Sequence, residues 1–421
     1  MICGYKKFRA GLLGRKLGHS YSKIIHAFLA DYDYVMFEKE ESEVGEFIKN
    51  GPFDAINVTV PYKKTVIPFL DELSETAKKL GAVNTVVRRS DGTLFGDNTD
   101  VFGFSYMLSC ADIDVKNKKA LVVGSGGAAA TVCEVLKSRG ASEIVSLNSK
   151  TNTPENVSLH SDSEIVVNAS PVGMYPNNEG TPISICGFNK LSGVADLIYN
   201  PARTNLLCDA QERKIKNVNG LPMLVAQAKR ACEIFLGVEV DDAEIELITK
   251  KIMSDEENIV FVGMPGCGKS THSRLVAEKL GRAVVDTDDE IVRLAGKTIP
   301  EIFEQDGEDV FRDLECKVAE NFGKMSGLVI ATGGGIVKRE SNYRSLCRNG
   351  RIIFLNRDIG ELDTEGRPLS QRDGVEKLYA ERLPLYRKFA DVEVKTDVSI
   401  EKTHNAILDA IDEILFGSDE E

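Results

Sequence analysis

Short apolar runs, each closed by a glycine or polar turn and followed by a longer amphipathic stretch, recur along this 421-residue chain. Residues 259–262 (Ile-Val-Phe-Val) are β-branched and aromatic without a polar break, as in a strand buried on both faces. Residues 271–280 then place Leu275, Val276 and Leu280 on a helical repeat. Residues 120–123 form a second apolar run, 130–138 a second helical stretch and 143–147 a further strand. A buried strand is expected at 328–331 and a short one at 284–285. Strands and helices also alternate before residue 102, and 241–253 reads as an amphipathic helix. This order predicts α/β architecture with largely parallel sheets.

Two of the strand-to-helix turns are rich in glycine, and their chemistry differs. Gly263-x-x-x-x-Gly268-Lys269-Ser270, with Gly266 inside it, is a P-loop between a strand and a helix. Its glycines let backbone N–H groups turn inward around phosphate oxygens, and the helix opening at Thr271 adds the positive end of its dipole. Lys269 would reach the β- and γ-phosphates of ATP, and Ser270 would ligate Mg²⁺. Gly124-Ser125-Gly126-Gly127-Ala128-Ala129 has the G-x-G-x-x-A form of a dinucleotide-binding turn. The same form also serves as a plain packing turn. The strand at 143–147, at βαβ spacing, favours a cofactor beside Gly124, Gly126, Gly127 and Ala128.

Composition narrows the class. The chain is 42% hydrophobic and 28% charged with net charge −13, and both parts are acidic when it is divided at Asn258. Acidity disfavours nucleic acid or an anionic membrane surface as a partner and leaves small-molecule substrates. Oligomeric state is not legible. Nine scattered cysteines lack C-x-x-C spacing, which argues against zinc and fits reduced thiols. There is no N-terminal apolar leader and no run near 18 apolar residues, so a cytoplasmic protein is expected.

The N-terminal part carries polar residues at turns. Ser20 and Ser22 could present two hydroxyls to a carboxylate or polyol, or cap a helix. Residues 57–61 read as a strand ending in proline, after which Lys63 is either catalytic or solvated. Asn84 and Asp100 close apolar runs as ligands or as turn formers. Together with GHSYS at 18–22, NVTVPYK at 57–63, GAVNT at 81–85, GDNTD at 96–100, NASPVGM at 168–174, DLIYNP at 196–201 and GLPMLVAQA at 220–228, these residues closely resemble shikimate dehydrogenase over roughly residues 8–250. The resemblance implies that Ser20, Ser22 and Thr59 bind the substrate carboxylate. It implies that Asn84, Asp100 and Gln227 hold ring hydroxyls with Tyr199 nearby, and that Lys63 and Asp100 form the catalytic pair. Asn148-Ser149-Lys150 stands where the family has Asn-Arg-Thr, and no acidic residue ends that strand to bind a ribose hydroxyl. NADP(H), held by Asn148, Ser149 and Lys150, is the expected cofactor. Only a short connection then leads to the next strand at Ile165, so a supporting helix is expected to be shortened or lost.

In the C-terminal part, alternation along a strand would point Asp286 and Asp288 the same way, toward a metal shell and an acceptor hydroxyl. Helix capping is the other reading. Three glycines at 333–335 allow close backbone approach to a ligand. Arg312, Arg367 and Arg382 suit carboxylate and phosphate forks. The set closely resembles shikimate kinase over 258–416. The resemblance implies Lys269 and Arg367 at the ATP phosphates, Ser270 at Mg²⁺ and Asp286 near the metal through water. It also implies Asp288 at the shikimate 3-hydroxyl, Arg312 and Arg382 on its carboxylate, and Gly333, Gly334 and Gly335 along its ring. The lid segment 356–367 is compressed.

The expected organisation is a substrate domain over 1–101 completed by helices within 221–253, a Rossmann NADP-binding domain over 102–220, a linker at 254–258, and a nucleoside-monophosphate-kinase-like P-loop domain over 259–417. The expected function is a bifunctional enzyme of aromatic amino-acid precursor biosynthesis. One rival joins the kinase to a quinate-type or degenerate dehydrogenase. Another is a non-catalytic nucleotide-binding scaffold, against which the intact Lys63, Asp100, Lys269, Asp288 and Arg382 stand.

Overall fold

The computed structural model describes residues 7–18, 20–362, 374–397 and 399–416. By internal contacts the chain divides into two compact units. One holds Met1–Gly173, Glu179–Tyr199 and Asp209–Thr249, and the other holds Met174–Asn178, Asn200–Cys208 and Lys250–Glu421.

The first unit has two sheets. Strands β1 (Arg9–Gly14), β2 (Asp33–Glu38), β3 (Ala55–Val58), β4 (Glu72–Leu73), β5 (Thr85–Arg88) and β6 (Leu94–Asp97) lie in the order β2-β1-β3-β5-β6-β4. β1 runs parallel to β2 and β3, whereas β5 is antiparallel to β3 and β6. One face packs Leu13, Phe47, Ile56 and Val86, and the other packs Ala10, Tyr34 and Ala55 with Cys232 and Phe235. The last two lie on the helix Leu221–Leu236, so a late helix completes the early sheet.

The second sheet is wholly parallel: β7 (Lys119–Val123), β8 (Glu143–Leu147), β9 (Ile165–Asn168), β10 (Gly193–Asp196) and β11 (Lys216–Val218), in the order β11-β10-β9-β7-β8. Chain order reverses at β7, where a ligand crevice is expected outside the strand ends. The β8–β9 crossover keeps only a short helix, Pro154–Ser158, as the short connection suggests.

The second unit is built on one parallel sheet. Its strands are β12 (Asn258–Val262), β13 (Val284–Asp286), β14 (Val329–Ala331), β15 (Gly350–Asn356) and β16 (Val392–Lys395), in the order β13-β14-β12-β15-β16. All five residues of β12 are buried, because helices cover both faces of a parallel sheet. Arg203, in the Asn200–Cys208 segment, is buried in this unit. Its Nη1 donates to Asp391 Oδ1 at 3.0 Å, and its N–H donates to the Arg348 carbonyl at 2.8 Å. Burial opposes the Asp391 charge, yet Arg203 holds this carboxyl below its ordinary range.

The expected linker at 254–258 does not form a loop. The helix Ala243–Glu256 runs through it, and Asn258 already opens β12. A charge run is as compatible with a solvated helix as with a linker, and here Lys251 pairs with Asp255 one turn on at 2.9 Å. Glu257 is buried and forks onto Arg351.

Candidate active sites

In the first unit, Asp100 begins the helix Asp100–Cys110, and its N–H bonds to Asn98 Oδ1 at 3.0 Å. This fixes the carboxylate at a helix N-terminus, where negative charge is favoured. Lys63 Nζ donates to Asp100 Oδ2 at 2.6 Å, and Asn84 Nδ2 donates to Oδ1 at 2.9 Å. Asn84 Nδ2 also lies 3.3 Å from Gln227 Oε1, on the helix Leu221–Leu236. The other end of the Asn84 amide accepts from the Thr85 hydroxyl at 2.9 Å and the Thr99 N–H at 2.8 Å, so the side chain is fully oriented. Lys63, Asn84, Asp100 and Gln227, from four separate motifs, thus form one linked group.

Ser20 Oγ donates to Ser22 Oγ at 2.9 Å and accepts from its N–H at 3.2 Å, while no side chain caps the helix Ser22–Leu29. Thr59 lies just past β3, whose last residue is Val58, so the strand ends before the proline rather than at it. Its N–H bonds to Leu13 O at 2.9 Å. Tyr199 stacks obliquely on Tyr21 with ring centroids 5.4 Å apart, and burial raises its hydroxyl pKa.

The glycine turn after β7 is close-packed at its start and exposed where its helix begins. Gly124 sits at φ +141°, and a Cβ there would lie 2.6 Å from the Ala169 carbonyl oxygen. Gly126, Gly127 and Ala128 are exposed, and the helix begins at Gly127, three residues earlier than periodicity suggests. Asn148 Oδ1 accepts from the Lys150 and Thr151 N–H groups at 2.8 and 3.1 Å, which shapes the turn after β8 and leaves Ser149 and Lys150 exposed. These features fit a dinucleotide with its phosphates on the turn.

In the second unit, Gly263, Gly266 and Gly268 have φ of +151°, +86° and +95°, values that side-chain-bearing residues rarely adopt. The helix starts at Lys269, with Ser270 and Thr271 in its first turn. Lys269 Nζ donates to the carbonyls of Gly263 and Met264 at 2.9 and 3.0 Å. Ser270 Oγ donates to Asp286 Oδ2 at 2.7 Å. Asp286 ends β13 and caps the helix Thr287–Ala295, accepting from the Asp288 N–H. The two aspartates therefore do not alternate on one strand. Asp288 is in the first helical turn, yet both line one cavity of about 620 Å³. Among the described residues no three His, Cys, Asp or Glu side chains converge as a metal cage. A hydroxyl and one carboxylate beside a phosphate loop suit Mg²⁺, which keeps few protein ligands.

The same cavity receives Lys269, Arg312, Arg382 and the glycine turn 333–335. Arg382 Nη1 donates to the Gly334 carbonyl at 3.0 Å, while its buried Nε and Nη2 have no protein partner. A Cβ on Gly333 would lie 2.5 Å from Asp288 Oδ1, and one on Gly335 would collide with the Arg312 guanidinium. Burial, with Asp286 beside it, pushes Asp288 up to about 6. Glu315, which the sequence reading missed, holds Arg312 Nη1 at 2.9 Å. Burial pushes Glu315 to about 7, with Arg312 pulling the other way. Its signal was Arg312-x-x-Glu315, a helical i,i+3 pair on an otherwise apolar face. Arg367 lies outside the described residues.

Comparison with known proteins agrees for both parts. Residues 12–86 match the family model for the shikimate dehydrogenase substrate binding domain, and 265–412 match that for shikimate kinase. A shikimate dehydrogenase (NADP(+)) of Clostridium beijerinckii is 37% identical over 252 residues, covering 55% of this chain and 93% of that protein. The crystal structure of a chorismate mutase/shikimate 5-dehydrogenase fusion protein from Clostridium acetobutylicum has a TM-score of 0.55 at 35% identity, covering 59% of this chain and 98% of that one. A shikimate 5-dehydrogenase from Thermus thermophilus, solved with NADP(H) and shikimate, has a TM-score of 0.51 at 29% identity, covering 58% of this chain and 99% of that one. The chain therefore belongs to the shikimate dehydrogenase family through its N-terminal part and continues into a shikimate kinase domain, which makes it a bifunctional shikimate-pathway enzyme.

Proposed function

We propose that the first unit reduces 3-dehydroshikimate to shikimate, that the second phosphorylates the shikimate 3-hydroxyl, and that Lys63/Asp100 and Asp288 carry the respective proton transfers. When bound, NADPH supplies the hydride, and ATP with Mg²⁺ supplies the phosphoryl group. Ser20, Ser22 and Thr59 receive the substrate carboxylate, and Asn84, Asp100, Gln227 and Tyr199 orient the ring. Lys63 gives its proton to the carbonyl oxygen as the alkoxide develops, and Asp100 keeps its ammonium aimed there. Gly124, Gly126, Gly127 and Ala128 cradle the NADPH pyrophosphate, with Asn148, Ser149 and Lys150 toward its 2′-phosphate.

In the kinase cavity Gly263, Gly266, Gly268, Lys269 and Thr271 hold the ATP phosphates, assisted by Arg367. Ser270 and Asp286 hold Mg²⁺. Arg312 and Arg382 clamp the shikimate carboxylate, Glu315 positions Arg312, and Gly333, Gly334 and Gly335 leave room for the ring. Asp288 accepts the proton of the attacking hydroxyl. The observation that carries this reading is the shared cavity: a phosphate loop, an acceptor carboxylate and two buried guanidiniums face one space. The partners are small molecules, not nucleic acid or membrane. Among the described residues no helix is long and apolar enough to cross a membrane.

Two shikimate sites per chain follow. Calorimetric titration with shikimate, in the presence of NADPH, which cannot oxidise it, and a non-hydrolysable ATP analogue, should give two sites. Arg382→Ala should leave one. A single site in the unsubstituted chain would contradict the reading.

A further inference from the structure

Cys208 and Cys347 are 139 residues apart in sequence, yet their Sγ atoms lie 3.6 Å apart. Cys208 sits on the helix Asn205–Glu212, and Cys347 ends the helix Glu340–Cys347. Both belong to the second unit and pack in one apolar cluster with Leu346, Ile352 and Phe389. They are 2% and 1% exposed. The proposed chemistry uses neither of them.

Two facing thiols can do what two apolar side chains cannot. A sulfur–sulfur bond is about 2 Å long, so the two sulfurs must approach by roughly 1.6 Å to form one. The two thiols are also unequal. Cys347 hydrogen-bonds to Cys208, and that bond, with Arg203 and Arg344 nearby, overcomes burial and draws Cys208 down to about 7. The same hydrogen bond together with burial pushes Cys347 well above the ordinary thiol range. Either sulfur can donate the bond between them, so the loss of one proton leaves a thiolate steadied by the other thiol.

We propose that Cys208 and Cys347 are a reversible redox pair, oxidised by low-molecular-weight disulfides to an intrachain disulfide. The Cys208 thiolate attacks the small disulfide, forms a mixed disulfide and expels one thiolate. Cys347 then loses its proton and attacks the Cys208 sulfur, expelling the second thiolate. Two protein thiols are oxidised while one small disulfide is reduced to two thiols. The bond fastens the Asn200–Cys208 segment, already held through Arg203 and Asp391, to the helix that follows the 333–335 glycine turn. It closes a long loop and so disfavours the unfolded chain. Because both sulfurs are buried, reaction requires local opening and is slow, whereas Cys186 is exposed; Cys110 is also an exposed residue, but burial of its thiol pushes it up to about 11.

The test incubates the full chain with oxidised glutathione near pH 7.5, quenches at acid pH and maps peptides without reduction. The expected result is a peptide cross-linked between Cys208 and Cys347. It should revert with dithiothreitol, be absent from the Cys347→Ser chain, and accompany a higher urea midpoint for loss of kinase activity. Glutathione on Cys186 with no 208–347 cross-link would overturn the proposal. So would a cross-link that forms as readily in the urea-unfolded chain, since that would owe nothing to the fold.

Discussion

Lys63 Nζ stands 2.6 Å from Asp100 Oδ2, with the lysine side chain 24% exposed and the aspartate 7%. The carboxylate is buried and the lysine side chain partly exposed, as the proposed proton transfer to a bound ligand requires. Lys63→Ala should lower the dehydrogenase kcat by about 10²–10⁴-fold, the usual contribution of a positioned proton donor. Asp100→Asn should also lower kcat while leaving NADPH binding intact. Kinase turnover should be unchanged in both. Steady-state kinetics of both reactions on each variant is the check, and near-normal reduction by Lys63→Ala would remove Lys63 from the chemistry.

The kinase should show an acid limb if Asp288 accepts the proton as proposed. It must be ionised to accept a proton, and its pKa lies near 6, mainly because it is buried. Kinase kcat/KM should therefore fall about tenfold per pH unit below that value, and the small residual activity of Asp288→Asn should lose this limb.

The same residue carries a stability consequence of opposite sign. The native pKa is raised above the unfolded one, so the native state binds more protons between the two values and stability falls as pH rises through them. Asp288→Asn should then be more stable than the unsubstituted chain at pH 8, by about 2–3 kcal/mol at most. Urea unfolding followed by kinase-domain signal at pH 5 and 8 checks the difference. Equal midpoints at pH 8 would mean the burial cost is offset elsewhere.

Arg382 should govern one substrate only. Its Nε and Nη2 are buried without protein partners, and the guanidinium lines the kinase cavity. Arg382→Ala should raise the KM for shikimate by roughly 10- to 100-fold, the scale of a lost charge-assisted contact. The KM for ATP should stay within about twofold. Glu315→Gln should show the same selectivity more weakly, because it acts through Arg312.

On the proposed reading, the turn after β8 sets cofactor choice. Lys150 is the one cation in Asn148-Ser149-Lys150, where no arginine fork is present. Lys150→Ala should weaken NADPH by roughly tenfold and leave NADH unchanged, narrowing the preference. Equal losses for the two cofactors would place Lys150 away from the 2′-phosphate.

How much of this was readable without coordinates depended on range. Local signals held well: β8 spans the predicted residues, and β7, β12 and β14 lie within one residue of the apolar runs that announced them. Helix starts were set two or three residues late at Gly127 and Lys269, because glycine and lysine at a phosphate loop look like turn residues until they are seen to join the first helical turn. The charged run at 254–258 was read by composition and is in fact helix and strand. Asp286 and Asp288 were read by strand alternation, but a helix begins between them. Glu315 was missed although Arg312 stands three residues before it, because the burial that singles this pair out is not displayed by one sequence. That Asn200–Cys208 packs with the second unit is a long-range property, and no local pattern carries it.

The most direct measurement follows both steps in one vessel. The full chain is given 3-dehydroshikimate, NADPH, ATP and Mg²⁺, and shikimate 3-phosphate is quantified against NADPH oxidation. Product is expected to form in step with NADPH loss. Lys63→Ala should stop it from 3-dehydroshikimate but not from added shikimate, and Asp288→Asn should leave shikimate to accumulate. NADPH oxidation without any phosphorylated product, or phosphorylation of shikimate by a chain that cannot reduce 3-dehydroshikimate, would contradict the assignment of two working enzymes to one polypeptide.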